Sequence, residues 1–284
     1  MEQLMMERLM RFRDYLCAVG YSAGGVRMLD TCTRDFFDYQ PLSPGAVRPA
    51  DIVSFYEYLQ VRPLRRREGV LSGQMVDHYL YSLRVFFDWQ QACGDTTAHP
   101  MSGLRLRRLG NGLRLPLSLD EVVALFDAAT DERERAVLHL LYSCGLRRSE
   151  ATGLVSSDVC PDRGLLYVRR GKGVRRRVVP LAGQAARCFA AYGRWLGVLL
   201  PGGAPRWLVS IRGRALGGDG LYKLVAALGE RAGLAVPVTP HRLRHSIATH
   251  LLARGMLLEQ VRDFLGHRCA DTTQRYAYPK SSCV

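Results

Sequence analysis

Residues 105–118, RLRRLGNGLRLPLS, place Arg105, Arg107, Arg108 and Arg114 around Gly110 and Gly112 with few acids nearby. Such a stretch cannot pack its charges into a protein interior, so any hydrophobic core must form separately on each side of it. The chain has 284 residues, enough for a core on both sides. The reading that follows is a domain over 1–104, a flexible basic linker over 105–117 and a second domain over 118–284.

On the N-terminal side the apolar residues recur at helical steps. In MVDHYLYSLRVFFDWQQACG, Val76, Leu80, Leu83, Phe86, Phe87 and Trp89 are spaced by three and four, and Gly94 is placed to end the helix. Ile52 to Leu59, and the opening segment around Leu9, Phe12 and Leu16, have similar spacing. Connectors such as PLSPGAVRP separate them, which predicts a small bundle of about four helices. Beyond the linker, Ser118 and Glu121 form a capping box before VVALF, and a helix is expected over Arg133 to Cys144, closed by Gly145. The run LLYVRRGKGVRRRVVPL sets two β-rich segments about a Gly-Lys-Gly turn, a hairpin pattern, and from Ala185 on the chain reads as mainly helical. The fold class expected is mainly α with a small β-sheet, α+β overall.

Charge narrows the partners. A net charge of +14 favours a polyanion, either nucleic acid or an anionic membrane surface, because Lys and Arg release counterions from phosphates. A hydrophobic content of 48% excludes a disordered chain. No run reaches the length of apolar residues that a membrane span needs, and MEQLMMERLMRFRDYL mixes charges where a signal peptide would be clean, so a cytoplasmic protein without membrane association is expected. The eight cysteines are scattered without a C-x-x-C pair, which predicts a reducing setting and no zinc site.

Four places could carry chemistry. In CGLRRSEATGL, Arg147 follows a helix end with Glu150 close enough to hold its guanidinium; alone, such an arginine is most often a solvated charge. Lys172 sits between Gly171 and Gly173, free to swing toward a ligand, although turn lysines usually serve solubility. In TPHRLRHSIATHLL, Thr239 can cap and Pro240 fits the first helical position, which places His241 in the first turn, where unpaired N–H groups favour a phosphate. His241 and Arg244 share a face, while Leu243, Ile247 and Leu251 form an apolar stripe. His241 and His245 have metal-ligand spacing but lack the glutamate of H-E-x-x-H, and the neighbouring arginines would repel a cation, so no metal is expected. Last, in FLGHRCADTTQRYAYP, Gly266 ends an amphipathic helix, His267 follows, and Asp271 can cap a short helix carrying Tyr276. A phenol is a poor nucleophile without help.

Together these groups suit metal-free attack on a phosphodiester. Arginine forks bind the non-bridging oxygens and stabilise charge building on phosphorus. A tyrosine supplies the nucleophilic oxygen, and a lysine or histidine protonates the departing 5′ oxygen. With no G-x-x-x-x-G-K-[ST] loop, the bond energy would be conserved by exchange, without ATP or other cofactor.

The ordered set G-L-R-R-S-E, G-K-G, P-H-R-L-R-H-S-I-A-T-H-L-L, L-G-H-R and T-T-Q-R-Y resembles the tyrosine recombinase/integrase family, its Xer-like bacterial members in particular. The resemblance covers nearly the whole chain. It implies a SAM-like helical core-binding domain followed by a catalytic domain, closing on duplex DNA as a C-shaped clamp. By position, Arg147 and Arg244 match the arginines that hold the scissile phosphate, Lys172 the general acid, His241 the assistant in proton transfer, His267 a phosphate hydrogen-bond donor and Tyr276 the nucleophile. Tyr278 is a decoy, and Glu150 and His245 match supporting positions. Arg105, Arg107, Arg108, Arg114, Arg169, Arg170, Arg175 and Arg176 are candidates for contacting DNA.

The implied reaction is two transesterifications through a 3′-phosphotyrosyl link and a Holliday junction, carried out by a tetramer on paired DNA sites. A partner recombinase or accessory protein fits the same pattern, as do chromosome dimer resolution, integration or inversion. Only AYPKSSCV follows Tyr276, and Pro279 opposes a long helix there, so the contact between protomers is expected to be minimal or arranged differently, or the assembly weaker without DNA. The rival readings are a type IB topoisomerase, a DNA-binding protein that has lost catalysis and, last, a membrane-surface protein.

Overall fold

The structure is a computed structural model that describes residues 2–64, 68–96, 98–107, 115–169 and 176–266. The chain divides into two compact units, Met1–Leu113 and Arg114–Val284, each with its own core. The Gly-Lys-Gly turn with Lys172, its flanking Arg170 and Arg175, the linker residues Arg108 and Arg114, and the final segment with His267, Asp271, Tyr276 and Tyr278 lie outside the described residues.

The first unit is built from α1 (Glu2–Ala18), α2 (Ala23–Tyr39), α3 (Pro49–Val61) and α4 (Gly73–Ala92). Their starts are local in origin: the Ser22 and Ser72 hydroxyls accept the N–H groups of Gly25 and Met75, and Pro49 occupies the first turn of α3. Phe12, Phe36, Phe55, Phe86 and Phe87 are fully buried. Edge-to-face contacts such as Phe12–Phe86 and Phe36–Phe55, each 5.1 Å between centroids, join the helices. The seam between α2 and α4 holds a buried polar pair, Thr33 and Ser82, whose hydroxyls are 3.0 Å apart while Ser82 donates to the Leu29 carbonyl. The start of the arginine-rich stretch belongs to this unit. Leu106 packs on its core and the Tyr56 hydroxyl donates to the Arg107 carbonyl at 2.7 Å, while the Arg105 and Arg107 side chains stay exposed.

The second unit comprises α5 (Leu119–Asp127), α6 (Glu132–Leu138), α7 (Arg148–Gly153), α8 (Gly183–Leu199), α9 (Gly218–Arg231), α10 (Pro240–Ala253) and α11 (Leu258–Leu265) around a small antiparallel sheet. The Ser118–Glu121 capping box opens α5. In the sheet, β2 (Leu165–Val168) pairs with β3 (Arg177–Pro180) in the register Val168↔Arg177, as the hairpin pattern predicts. The sequence reading missed the third strand, β1 (Val159–Cys160), because two residues show no period. The helix expected over 133–144 is also modified: α6 passes at His139–Ser143 into a π turn, and Gly145 follows at φ +59°. Leu117, at the far end of the arginine-rich stretch, is fully buried, and its N–H donates to the Ser246 hydroxyl at 2.8 Å. Among the described residues no helix is long and apolar enough to cross a membrane.

Candidate active site

Arg147 stands where the π turn releases the chain. The widened turn bonds the Cys144 N–H to the His139 carbonyl and the Leu146 N–H to the Leu140 carbonyl, and Gly145 reverses the backbone. A side chain at Gly145 would meet Leu265 Cδ2 at 2.7 Å, so a glycine is needed both for its positive φ and for the approach of α11. Arg147 then caps α7: its N–H donates to Glu150 Oε2 at 2.9 Å and its guanidinium to Oε1 at 2.8 Å.

Glu150 is the hub. It is 2% exposed, and Arg177 grips it with a two-pronged fork at 3.0 and 2.9 Å. Burial alone would push this carboxyl up, but the Arg177 fork and the Arg147 bonds outweigh it and hold Glu150 below the ordinary carboxylate range. Arg244, on α10, lies 3.9 Å from Glu150 Oε2.

The same three arginines hold the end of α11. Arg177 Nε donates to the Phe264 carbonyl at 3.0 Å, Arg244 to the Leu265 carbonyl at 2.7 Å and Arg147 to the Gly266 carbonyl at 2.9 Å. Arg244 donates in addition to the Gly145 carbonyl. Three consecutive carbonyls at a helix C-terminus, the negative end of its dipole, thus each receive a cation. Gly266 closes the turn in the left-handed conformation, φ +65°. The next residue in the chain is His267.

The structure therefore brings Arg147 and Glu150, at the start of α7, together with Arg244 of α10. His241 has an exposed side chain in the first turn of α10, after the Thr239 cap, and His245 is half-buried one turn on. Arg169 pairs with Asp158 at 2.7 Å and lies over the Tyr167 ring, and Arg176 is exposed. Among the described residues no group of histidines, cysteines and carboxylates could hold a metal. The sequence reading did not single out Arg177. Its signal was parity: two residues before the buried Val179 on β3, it is a charge on the core face of a strand.

Three guanidiniums facing one carboxylate leave the cluster cationic. Forked donors on a preorganised frame can bind an oxyanion and stabilise charge as it grows on phosphorus.

Comparison with known proteins bears on this chemistry. The phage integrase family model matches residues 116–282. Tyrosine recombinase XerD of Listeria monocytogenes serotype 4b (strain F2365) is 30% identical over 274 residues, covering 91% of this chain and 89% of the relative. Tyrosine recombinase XerC of Vibrio parahaemolyticus serotype O3:K6 (strain RIMD 2210633) is 35% identical over 216 residues, 75% of this chain and 69% of that protein. Of solved structures, XerA recombinase is 26% identical with a TM-score of 0.55, covering 97% of this chain and 95% of its own. The Tn1549 transposon integrase in complex with circular intermediate DNA shares the fold, with a TM-score of 0.77 at 18% identity over 97% of this chain and 96% of its own.

Proposed function

From the premise that this chain belongs to the phage integrase family, as a tyrosine-type site-specific recombinase of Xer type, we propose that it cuts and rejoins duplex DNA with Tyr276 as nucleophile. Arg147 and Arg244 bind the non-bridging oxygens of the scissile phosphate. Tyr276 attacks phosphorus, the bond to the 5′ oxygen breaks, and Lys172 protonates that oxygen as it leaves. His241 assists transfer of the phenol proton and His267 hydrogen-bonds the phosphate. A 5′-hydroxyl from a second duplex then attacks phosphorus in the 3′-phosphotyrosyl link, the bond to the Tyr276 oxygen breaks and the phenol regains its proton; exchange of one strand pair gives a Holliday junction, which the same two steps on the other pair resolve. The working form is a tetramer on paired sites in the cytoplasm, alone or with a partner recombinase or accessory protein, and residues 1–104 and 118–284 serve as core-binding and catalytic domains joined by the basic stretch 105–117.

The observation that supports this reading best is the arginine frame. Arg147 is fixed by the buried Glu150 and the Gly266 carbonyl, and Arg244 by the Gly145 and Leu265 carbonyls, at the turn immediately before His267.

A covalent trap tests it. The protein is incubated with sheared genomic DNA of its source organism and quenched with SDS, and the protein-linked fragments are sequenced at their ends. Adducts are expected from the wild type and from Tyr278→Phe, and none from Tyr276→Phe. If no variant gives adducts while all shift DNA on a gel, the chain is a DNA-binding protein without this chemistry.

A further inference from the structure

Arg177 is not used by the reaction just described, yet it is among the most deeply held charges in the site. We infer that Arg177 is a positioning residue that saturates Glu150 and so keeps Arg244 from being captured by it, holding Arg244 at the Gly145 and Leu265 carbonyls, where the scissile phosphate would meet it. The inference rests on the recombinase reading only for its second half, the use made of Arg244.

An ionised carboxylate offers about four lone-pair directions. At Glu150 all are taken. Oε1 receives the Arg147 and Arg177 guanidiniums at 2.8 and 3.0 Å, and Oε2 receives the Arg147 N–H and the Arg177 guanidinium at 2.9 Å each. Arg244 approaches Oε2 no nearer than 3.9 Å, beyond hydrogen-bond range, and gives its bonds to the Gly145 and Leu265 carbonyls instead.

Without Arg177, two acceptor directions on a carboxylate that is 2% exposed would face a guanidinium that is 3% exposed. Water cannot fill the gap at that depth, and an unanswered buried charge draws the nearest cation strongly. Arg147 already bonds both oxygens, so the next cation in reach is Arg244. Its fork would turn toward Glu150 and release the end of α11.

Arg177 also fixes that end directly. Its Nε holds the Phe264 carbonyl at 3.0 Å, and its guanidinium lies so close to Gly266 that a Cβ there would sit 3.0 Å from Nη1. The one residue thus acts both on the placement of Arg244 and on the turn at Gly266, the residue before His267 in the sequence.

Three variants test this: Arg177→Met, Arg177→Lys, and Arg177→Met combined with Glu150→Gln. In a crystal structure of Arg177→Met without DNA, Arg244 is expected to close on Glu150 to within about 3.2 Å. If it stays outside hydrogen-bond range, the inference is wrong. Single-turnover adduct formation is then measured at saturating DNA carrying the site recovered from the trap. Arg177→Met is expected to react roughly 10–100-fold more slowly with DNA affinity within about 3-fold, and Arg177→Lys to fall between it and wild type. The double variant, which has no buried carboxylate left to capture Arg244, is expected to regain at least about 10-fold over Arg177→Met. A double variant no faster than the single one overturns the inference. Should Arg177→Met fail to fold, Arg177→Ala takes its place for the crystal distance and the rates, alone and combined with Glu150→Gln; an Arg244 that stays away from Glu150, or a double variant no faster than Arg177→Ala, then overturns it. If the wild type itself forms no adduct, the recombinase reading falls, and the crystal distance alone decides whether Arg177 shields Glu150.

Discussion

Single buried ionisable groups set the character of the second unit. Glu150 keeps its charge because it is surrounded by donors, whereas His139 is 5% exposed beside Phe126 and Phe189, with Nδ1 2.9 Å from the Ser143 hydroxyl. Burial pushes its pKa down from 6.5 to about 4. Between those values the unfolded chain binds a proton that the folded protein refuses, so stability falls as pH drops from about 6.5 and levels off below about 4. The loss is on the order of 3 kcal/mol. Urea unfolding followed across this range is expected to show the slope, and His139→Phe to flatten most of it. Some slope remains, since burial shifts His250 in the same direction. A slope unchanged in the variant would mean that His139 is not its source.

At the scale of elements, α10 works on two faces. Arg242, Ser246 and His250, each one turn apart, grip the chain where it enters the second unit. Arg242 Nε donates to the Leu115 carbonyl at 3.0 Å, the Ser246 hydroxyl accepts the Leu117 N–H, and His250 bonds the Leu117 backbone while its Nδ1 meets the Tyr142 hydroxyl at 2.8 Å. Arg244 faces α11. The helix thereby couples the incoming chain to the arginine frame. Ser246→Ala strands the buried Leu117 N–H, and a loss of about 1–3 kcal/mol is expected, read from the thermal midpoint. A shift within error would mean that the N–H finds another partner.

Across the whole molecule the excess positive charge, +14, governs the encounter with DNA. Binding is expected to weaken steeply with salt, the logarithm of affinity falling by about 0.9 per neutralised phosphate for each unit in log salt. Replacing Arg105, Arg107, Arg108 and Arg114 by alanine is expected to reduce that slope by about 1 for each of these arginines that pairs with a phosphate. Filter binding at several salt concentrations measures it, and an unchanged slope would remove this stretch from the DNA interface.

The sequence by itself determined what is local: the helices of both units through spacing and caps, and the β2–β3 hairpin through the two β-rich runs; motif order also singled out Arg147, Glu150 and Arg244, which the fold brings near one another. Residues three or four apart on a helix, or two apart on a strand, carry their structural meaning in that spacing. The tertiary structure alone decided what depends on distant chain segments meeting. Arg177 reads as one more member of a basic run until β3 turns it inward onto Glu150. The end of α11 reads as an ordinary glycine stop until three arginines from β3, α10 and the start of α7 reach its carbonyls. The π turn in α6 has no period of its own, and Leu117 looks like part of a basic linker until Ser246 accepts its N–H. A buried carboxylate imposes geometry on whatever cations surround it, and which cations those are is known only once the chain has folded around it.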